Sequence, residues 1–467
     1  LLLFSFEFTF IRVKEKNSSF FLFALQYIVS KEKMLNIFFG GCNMDQWYKI
    51  DNTGKIFHAV SNASNSAVFR VSMTLHEMVD PKILQEALDI VVLRFPTLTV
   101  RVRKGLFWDF LEQNDQVLLV KEETDYPCAP IDRKENKAFL IRVLYFKKRI
   151  SVEVFHSLTD GGGAAEFLKT LAYEYLLLKG EPVEADGTYI MLPHDAPKRE
   201  EVEDSFEKYA TSRAVKNPAS SDKKAYQLKG TTLNPPGINV IQGIVDAKAL
   251  NTFAKAKGTS LTGFLTSLLI KVIHMEKHRE KSKSSLITVA MPVSLRRHFP
   301  SVSIRNFFSV SNIGVRMSDD VPLEEIIEQV TQQLIAKTDK NFLQEGINRF
   351  VAFQSHLWLR IVPVFIKYPV MRFAFNQFGE RAKTLTLSNL GNIQLPESMQ
   401  PYADSMDVVL YPTNKSPINC GTATVNDKLT ITFSRSIEEN KIIKTFFKEI
   451  TRLTGLDVTV SSNGWGE

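Results

Sequence analysis

The chain has 467 residues, room for two or three domains or one large two-lobed unit. It is 44% hydrophobic and 23% charged, an ordinary globular composition, and its formal charge of +7 comes without a dense Lys/Arg block. That balance argues against nucleic acid as a partner, and it suits a phosphate-bearing small molecule or an acidic carrier protein. Three cysteines, Cys42, Cys128 and Cys420, lack disulfide or metal spacing and fit a reducing, cytoplasmic compartment.

Residues 1–43 read as foreign to the rest. Their uncharged run from Asn17 to Ser30 falls short of the ~17–25 residues a bilayer span needs, and it lacks a small-x-small cleavage pattern. The preferred reading starts the native product at Met34 or Met44 and treats 1–43 as a non-native or unstructured extension; the alternative is a membrane anchor or signal. No membrane contact is expected, and a monomer is.

From Met44 onward strands alternate with helices. Ala67–Glu77 alternates as a strand; Asp80-Pro81 then caps and opens a helix to about Arg94, stopped by Phe95-Pro96. Strand-like runs follow at Leu98–Arg103, Leu106–Leu111 and Val117–Val120. A hairpin comes next, Phe139–Phe146 and Ile150–His156 around Lys147-Lys148-Arg149, and then a helix over Ala164–Leu178. Residues 181–236 carry six prolines and dense charge and read as a crossover linker between an N-terminal lobe, 44–180, and a C-terminal lobe, 237–467. In the second lobe, strand patterns fall at Gly237–Val245, Leu286–Val293, Phe307–Met317, Leu385–Ser388, Ser405–Tyr411 and Lys428–Arg435. Helical patterns fall at Asp246–Lys257, after Gly258 to about Lys277, at Leu323–Lys337 and at Glu438–Thr454. The hairpins make both lobes mixed α/β without the regular period of a doubly wound sheet.

The sharpest signal is His156-Ser157-Leu158-Thr159-Asp160-Gly161, which closes a strand and opens a helix. A period of two puts Val152, Val154 and His156 on one face, so the imidazole ends a strand in apolar surroundings, a suitable place for a general base. Asp160 is four residues on across a turn. It is expected to bind backbone N–H groups or a distant arginine rather than the imidazole. The competing reading is a helix N-cap beside an ordinary core histidine.

Other constellations carry less. His274 and His278 stand at zinc-compatible spacing, but Glu276 is one place late for a metalloprotease, and a solvated surface pair is expected. Gly258–Gly263 is too long for a nucleophile elbow and reads as a helix start. No phosphate-cradling Lys-Ser/Thr loop occurs, and no metal is expected. The apolar stretch Trp358–Phe378, with Arg360, Lys367 and Arg372 interspersed, reads as a core-facing or tunnel-lining helix in preference to a membrane or partner contact.

The His-x-x-x-Asp-Gly motif at a strand-to-helix junction resembles the chloramphenicol acetyltransferase/condensation-domain superfamily of CoA-dependent acyltransferases, and within it the alcohol O-acetyltransferase-like proteins. Asn52-Thr53-Gly54-Lys55, Phe69-Arg70, Phe95-Pro96 and Gly105-Leu106-Phe107-Trp108 are similar to the family's opening. Met291-Pro292-Val293-Ser294-Leu295-Arg296-Arg297 with Arg305-Asn306-Phe307-Phe308, and Ser388-Asn389-Leu390-Gly391, are similar to its later strands. Ser294 departs from the asparagine expected there. The resemblance implies two α/β sandwich lobes forming a pseudo-dimer around a central tunnel with His156 at its middle. It implies His156 as general base, Asp160 pairing with Arg296 to hold the loop beside Gly161, and Ser388 or Asn389 as oxyanion donor. Acyl-CoA, acetyl-CoA by preference, would be a co-substrate with no bound cofactor. An alcohol or amine would be the acceptor. The alternatives are a condensation-type protein fed by an acyl or peptidyl carrier protein, and a non-catalytic binding relative.

Overall fold

The computed structural model describes residues 47–62, 65–211, 223–278, 285–318, 321–356 and 361–466. Cys42 and the start of the Trp358–Phe378 stretch lie outside the described residues. The chain divides into two compact units, Leu1–Trp47 and Tyr48–Glu467.

In the first half the order is β1 (Trp47–Lys49), α1 (Asn52–Val60), β2 (Val68–Leu75), α2 (Pro81–Arg94), β3 (Val100–Arg103), β4 (Phe110–Gln113), β5 (Val120–Glu122), β6 (Ile141–Phe146), β7 (Arg149–Phe155) and α3 (Gly161–Leu178). A short helix, α4 (Ser205–Tyr209), precedes β8 (Asn239–Asp246), α5 (Ala247–Ala256), α6 (Leu261–His278), β9 (Ser285–Ser294) and β10 (Phe308–Met317). Then come α7 (Leu323–Lys337), α8 (Lys340–Ser355), α9 (Val364–Ala374), β11 (Leu385–Asn392), β12 (Ala403–Val409), β13 (Ile418–Val425), β14 (Lys428–Arg435), α10 (Lys441–Thr454) and β15 (Thr459–Ser462).

Two large sheets define two lobes. One has the order β12-β2-β7-β6-β5, and the other β10-β9-β11-β13-β14-β8-β15; a small third sheet is β1-β4-β3. Each large sheet has its own apolar core. Val71, Val152 and Val154 meet Leu88 and Leu171 of α2 and α3 in the first. Val289, Leu387 and Ile431 meet Leu269, Val330 and Phe446 in the second. The lobes interlock, because β12 comes from the second half of the chain yet pairs antiparallel with β2 of the first. Gly421 on β13 lets this strand approach closely: a Cβ there would run into the backbone carbonyl of Val408 on β12.

The polar side of the first sheet is buried as well. Glu153 on β7 has no exposed surface; it accepts from Arg70 Nε at 3.0 Å, from Arg142, and from the Cys128 backbone N–H at 2.6 Å. Strict alternation along Ser151–Phe155 therefore marks two buried faces, one apolar and one ionic, rather than an inside and an outside.

Several sequence expectations change in detail. The 164–178 helix starts at Gly161, because Asp160 caps Gly162 and Gly163 and turns the glycine run into its first turn. Helices α1 and α8 and strand β13 were not expected: α1 and α8 have Asp51 and Asp339 as caps, and β13 is buried throughout. His274 is buried rather than solvated, since α6 packs with α7 and α10, and the side chain of His278 is outside the described residues. Cys128 and Cys420 are buried free thiols.

Candidate active site

Strand β7 ends at Phe155, and the His156 N–H still donates to the Ala67 carbonyl at 2.8 Å, so the histidine prolongs the β2–β7 ladder by one residue. Three rings surround the imidazole. Phe57 of α1 stacks on it at 4.0 Å and 9°, Phe69 of β2 lies 4.7 Å away, and Phe308 of β10 lies 5.5 Å away. Burial in this aromatic setting pushes the His156 pKa below its ordinary 6.5, against the opposing pull of Asp160 and of the hydrogen bond to Asn306. The side chain is thus neutral at physiological pH.

Its tautomer follows from the neighbours. Asn306 Oδ1 lies 3.1 Å from His156 Nδ1. The Asn306 amide nitrogen faces two acceptors, Asp51 Oδ2 at 3.0 Å and the His156 carbonyl at 3.1 Å, so the amide oxygen must be the atom turned to the ring. Nδ1 therefore carries the hydrogen and Nε2 the lone pair. Among the described residues Nε2 has no hydrogen-bond partner. The result is a relay Asp51–Asn306–His156 that fixes the ring and leaves the basic nitrogen free.

Asp51 is tied down in turn. It caps α1 through the Gly54 N–H at 2.6 Å, and Arg305 Nε lies 3.5 Å from its carboxylate. Gly54 is required here: a Cβ would come within 2.5 Å of the Ser157 carbonyl, so this turn sits directly against the His156 loop. Asp204, the cap of α4, accepts from the Asn52 N–H at 3.0 Å. Burial, together with the negative charge of Asp51, raises its pKa to about 6.

Asp160 does not hydrogen-bond the imidazole. Its Oδ1 accepts from Gly162 N and Gly163 N, both at 3.1 Å; its Oδ2 accepts from Arg296 Nη1 at 2.7 Å and from Phe307 N at 2.8 Å. Arg296 also donates to the carbonyls of Ser303 and Arg305, and Thr159 to that of Ile304. The whole 303–307 segment, Asn306 included, is thereby bound to the turn that follows His156. Gly161 faces β11, since a Cβ on it would lie 2.6 Å from Leu390 Cδ2. Asn389 on β11 is engaged, donating to Thr262 Oγ1 and accepting from Gly391 N, both at 2.8 Å. The half-buried Ser388 hydroxyl has no hydrogen-bond partner among the described residues. Ser294 is exposed.

The structure thus brings His156, Asp160, Gly161 and Arg296 together with the β11 strand. Sequence reasoning assigned no role to Asp51 or Asn306. The Asp-x-x-Gly capping pattern at Asp51 was a usable sign of a helix start, but nothing local links it to Asn306, 255 positions away. Among the described residues no His/Cys/Asp/Glu cluster fit to hold a metal occurs. No helix among them is long and apolar enough to cross a membrane.

This two-lobed mixed α/β fold is similar to that of solved acetyltransferases and condensation domains, over most of the chain. No family model and no curated protein matches the chain. Solved structures do. Trichothecene 15-O-acetyltransferase TRI3 from Fusarium sporotrichioides is 10% identical over 88% of this chain and 97% of its own, with a TM-score of 0.54. TRI101 from F. sporotrichioides, complexed with coenzyme A and T-2, is 12% identical over 89% of this chain and 100% of its own, with a TM-score of 0.57. The starter condensation domain of rhizomide synthetase, complexed with C8-CoA, is 14% identical over 88% and 95%, with a TM-score of 0.54.

Proposed function

We propose that the protein is a CoA-thioester-dependent acyltransferase acting on an alcohol or amine, with His156 as general base. The observation that carries this reading is the Asp51–Asn306–His156 relay, which holds a neutral imidazole in one tautomer with Nε2 free. The acceptor's hydroxyl or amine gives its proton to Nε2 as its oxygen or nitrogen attacks the thioester carbonyl. Collapse of the tetrahedral species breaks the C–S bond, and the thiolate takes the proton back. Neither a nucleophilic side chain nor an acyl-enzyme is needed, because holding both substrates together supplies much of the acceleration. The developing oxyanion needs a donor; the Ser388 hydroxyl is the better of the two β11 choices, since the amide of Asn389 is already committed to Thr262. Asp160 and Arg296 act as positioning residues.

The test is release of free thiol from acetyl-CoA and longer acyl-CoAs in the presence of a panel of alcohols and amines. A parallel arm offers the same acyl groups on a phosphopantetheine carrier protein. Acceptor-dependent release is expected from the wild type. His156→Ala is expected to lose about 10²–10⁴-fold, the usual contribution of a general base. Full activity in a folded His156→Ala variant would overturn the assignment, and release from the carrier alone would move the donor to the condensation type.

A further inference from the structure

Helix α9 (Val364–Ala374) is built inside out. Its one buried residue is Lys367, whose ammonium donates to the Phe107 carbonyl at 2.7 Å and lies 3.5 Å from the centre of the Trp108 ring. Tyr368 donates to Asp109 at 3.1 Å, and Arg372 to the carbonyls of Ala59 and Ser61. The apolar residues face solvent instead. Phe365 is 70% exposed, Phe373 65%, and Ile366 and Val370 about half. At 100° per residue Ile366, Val370 and Phe373 form one stripe. Phe378 just beyond the helix is also exposed, and so is Leu106, whose carbonyl accepts from the Val364 N–H. The expectation of a core-facing helix over this stretch is therefore corrected: polar handles pin the inner side and leave the phenylalanines exposed. Burial drives apolar side chains inward by default, so an orientation enforced by three polar anchors against that tendency marks a docking face.

The charges around this face select its partner. Arg372 and Arg381 are exposed beside it and Lys383 and Lys415 are partly exposed, whereas Glu380 is buried and paired with Lys383. Lys104 adds a further exposed cation next to Leu106. A second copy meeting this face by two-fold symmetry would oppose cation to cation. An apolar stripe with a basic rim instead fits the interface of a bilayer carrying anionic lipid, with the rings among the acyl chains and the cations at the headgroups.

We infer that α9 and Leu106 form a membrane-surface docking face for anionic bilayers. The same helix braces the candidate site, since Arg372 and Tyr368 hold α1 and its neighbour Asp109, and α1 carries the Phe57 ring stacked on His156. The inference does not depend on the acyltransfer reading.

Vesicle flotation with the full chain tests it, using phosphatidylcholine vesicles with and without phosphatidylserine. Binding is expected with phosphatidylserine and to weaken at high salt. Phe365→Ser combined with Phe373→Ser is expected to reduce binding tenfold or more, with the circular dichroism spectrum unchanged, since neither ring is packed inside. Lys104→Glu combined with Arg381→Glu is expected to remove the preference for phosphatidylserine. Absence of vesicle binding, or binding that the phenylalanine variant leaves intact, would overturn the inference. So would a dimer in sedimentation velocity that this variant converts to monomer, because the face would then belong to a second copy.

Discussion

Asn306 turns its amide oxygen to Nδ1 of His156 because its amide nitrogen is held by Asp51, the cap of α1, 255 positions earlier in the chain. This one side chain decides which nitrogen of the candidate base carries the lone pair. Asn306→Ala should leave the ring free to adopt either tautomer and orientation. Loss of one hydrogen bond to a half-buried ring, about 1–3 kcal/mol, predicts a kcat reduced about 10–100-fold with KM little changed. Nitrogen NMR of labelled histidine reads the tautomer directly, and a single Nδ1–H form persisting in the variant would contradict the relay.

The pH dependence follows from the sign of the shift at His156. Burial holds the folded pKa below the ordinary 6.5, and only the neutral ring can accept a proton. The kcat/KM profile should be level from pH 7 to 8 and fall on the acid side with an inflection below 6.5. An inflection above 6.5 would mean that a charge partner, not desolvation, governs the ring.

Asp204 carries the opposite sign. Burial and the charge of Asp51 raise its pKa to about 6, so the folded carboxyl keeps its proton where the unfolded one, near 3.8, has lost it. Its stabilising protonation is complete below about pH 3.8 and is lost as pH rises through 6. Comparing urea unfolding of wild type and Asp204→Asn between pH 4 and 7 isolates this effect. The wild type should lose ground to the variant across that window, and a constant difference would rule the linkage out.

The local part of the site was readable from sequence. A hexapeptide named His156 and Asp160, and the strand-to-helix context put them on a junction. Asp160 could be separated from the imidazole because a carboxylate just before a glycine run satisfies helix N–H groups first. What escaped was whatever depends on distant chain. Asp51 and Asn306 meet only because the 303–307 segment is bound to the Asp160 turn. Strand β12 joins the first sheet from residue 403 onward, which no local pattern announces. Helix α9 misled for a different reason: its composition is apolar nearly all round, so periodicity alone could not tell that the lysine faces in.

Asp160 has four donors on its two oxygens, which makes it a structural centre rather than a proton carrier. Asp160→Ala should cost about 3–5 kcal/mol, because three backbone N–H groups and the Arg296 guanidinium lose their acceptor together. Arg296→Met should cost less, because its side chain is partly exposed and Asp160 keeps three backbone donors. The double variant should be far from additive. Denaturant titration measures all three. Asp160→Asn, assayed cold where it stays folded, should retain most thiol release, and a folded but inactive protein would give Asp160 a direct part in the chemistry.

The glycines after Asp160 separate backbone need from convenience. An alanine at an interior helical position is normally better than glycine by roughly 0.5–1 kcal/mol. At Gly163 that gain cannot be realised, because the added Cβ would collide with Thr159 Oγ1 and with the backbone carbonyl of Ile304, two groups already joined to each other. Relief would require the 303–307 segment to move, taking Asn306 with it. Gly163→Ala is therefore expected to lower both thermal stability and kcat. At Gly161 the obstacle is the end of the Leu390 side chain at 2.6 Å, which can rotate away. Gly161→Ala should keep its stability and change activity only by reshaping the space Leu390 occupies, so Leu390→Ala should restore it. Equal damage from the two alanines would show that the contact with Ile304 is not what sets the position of Asn306.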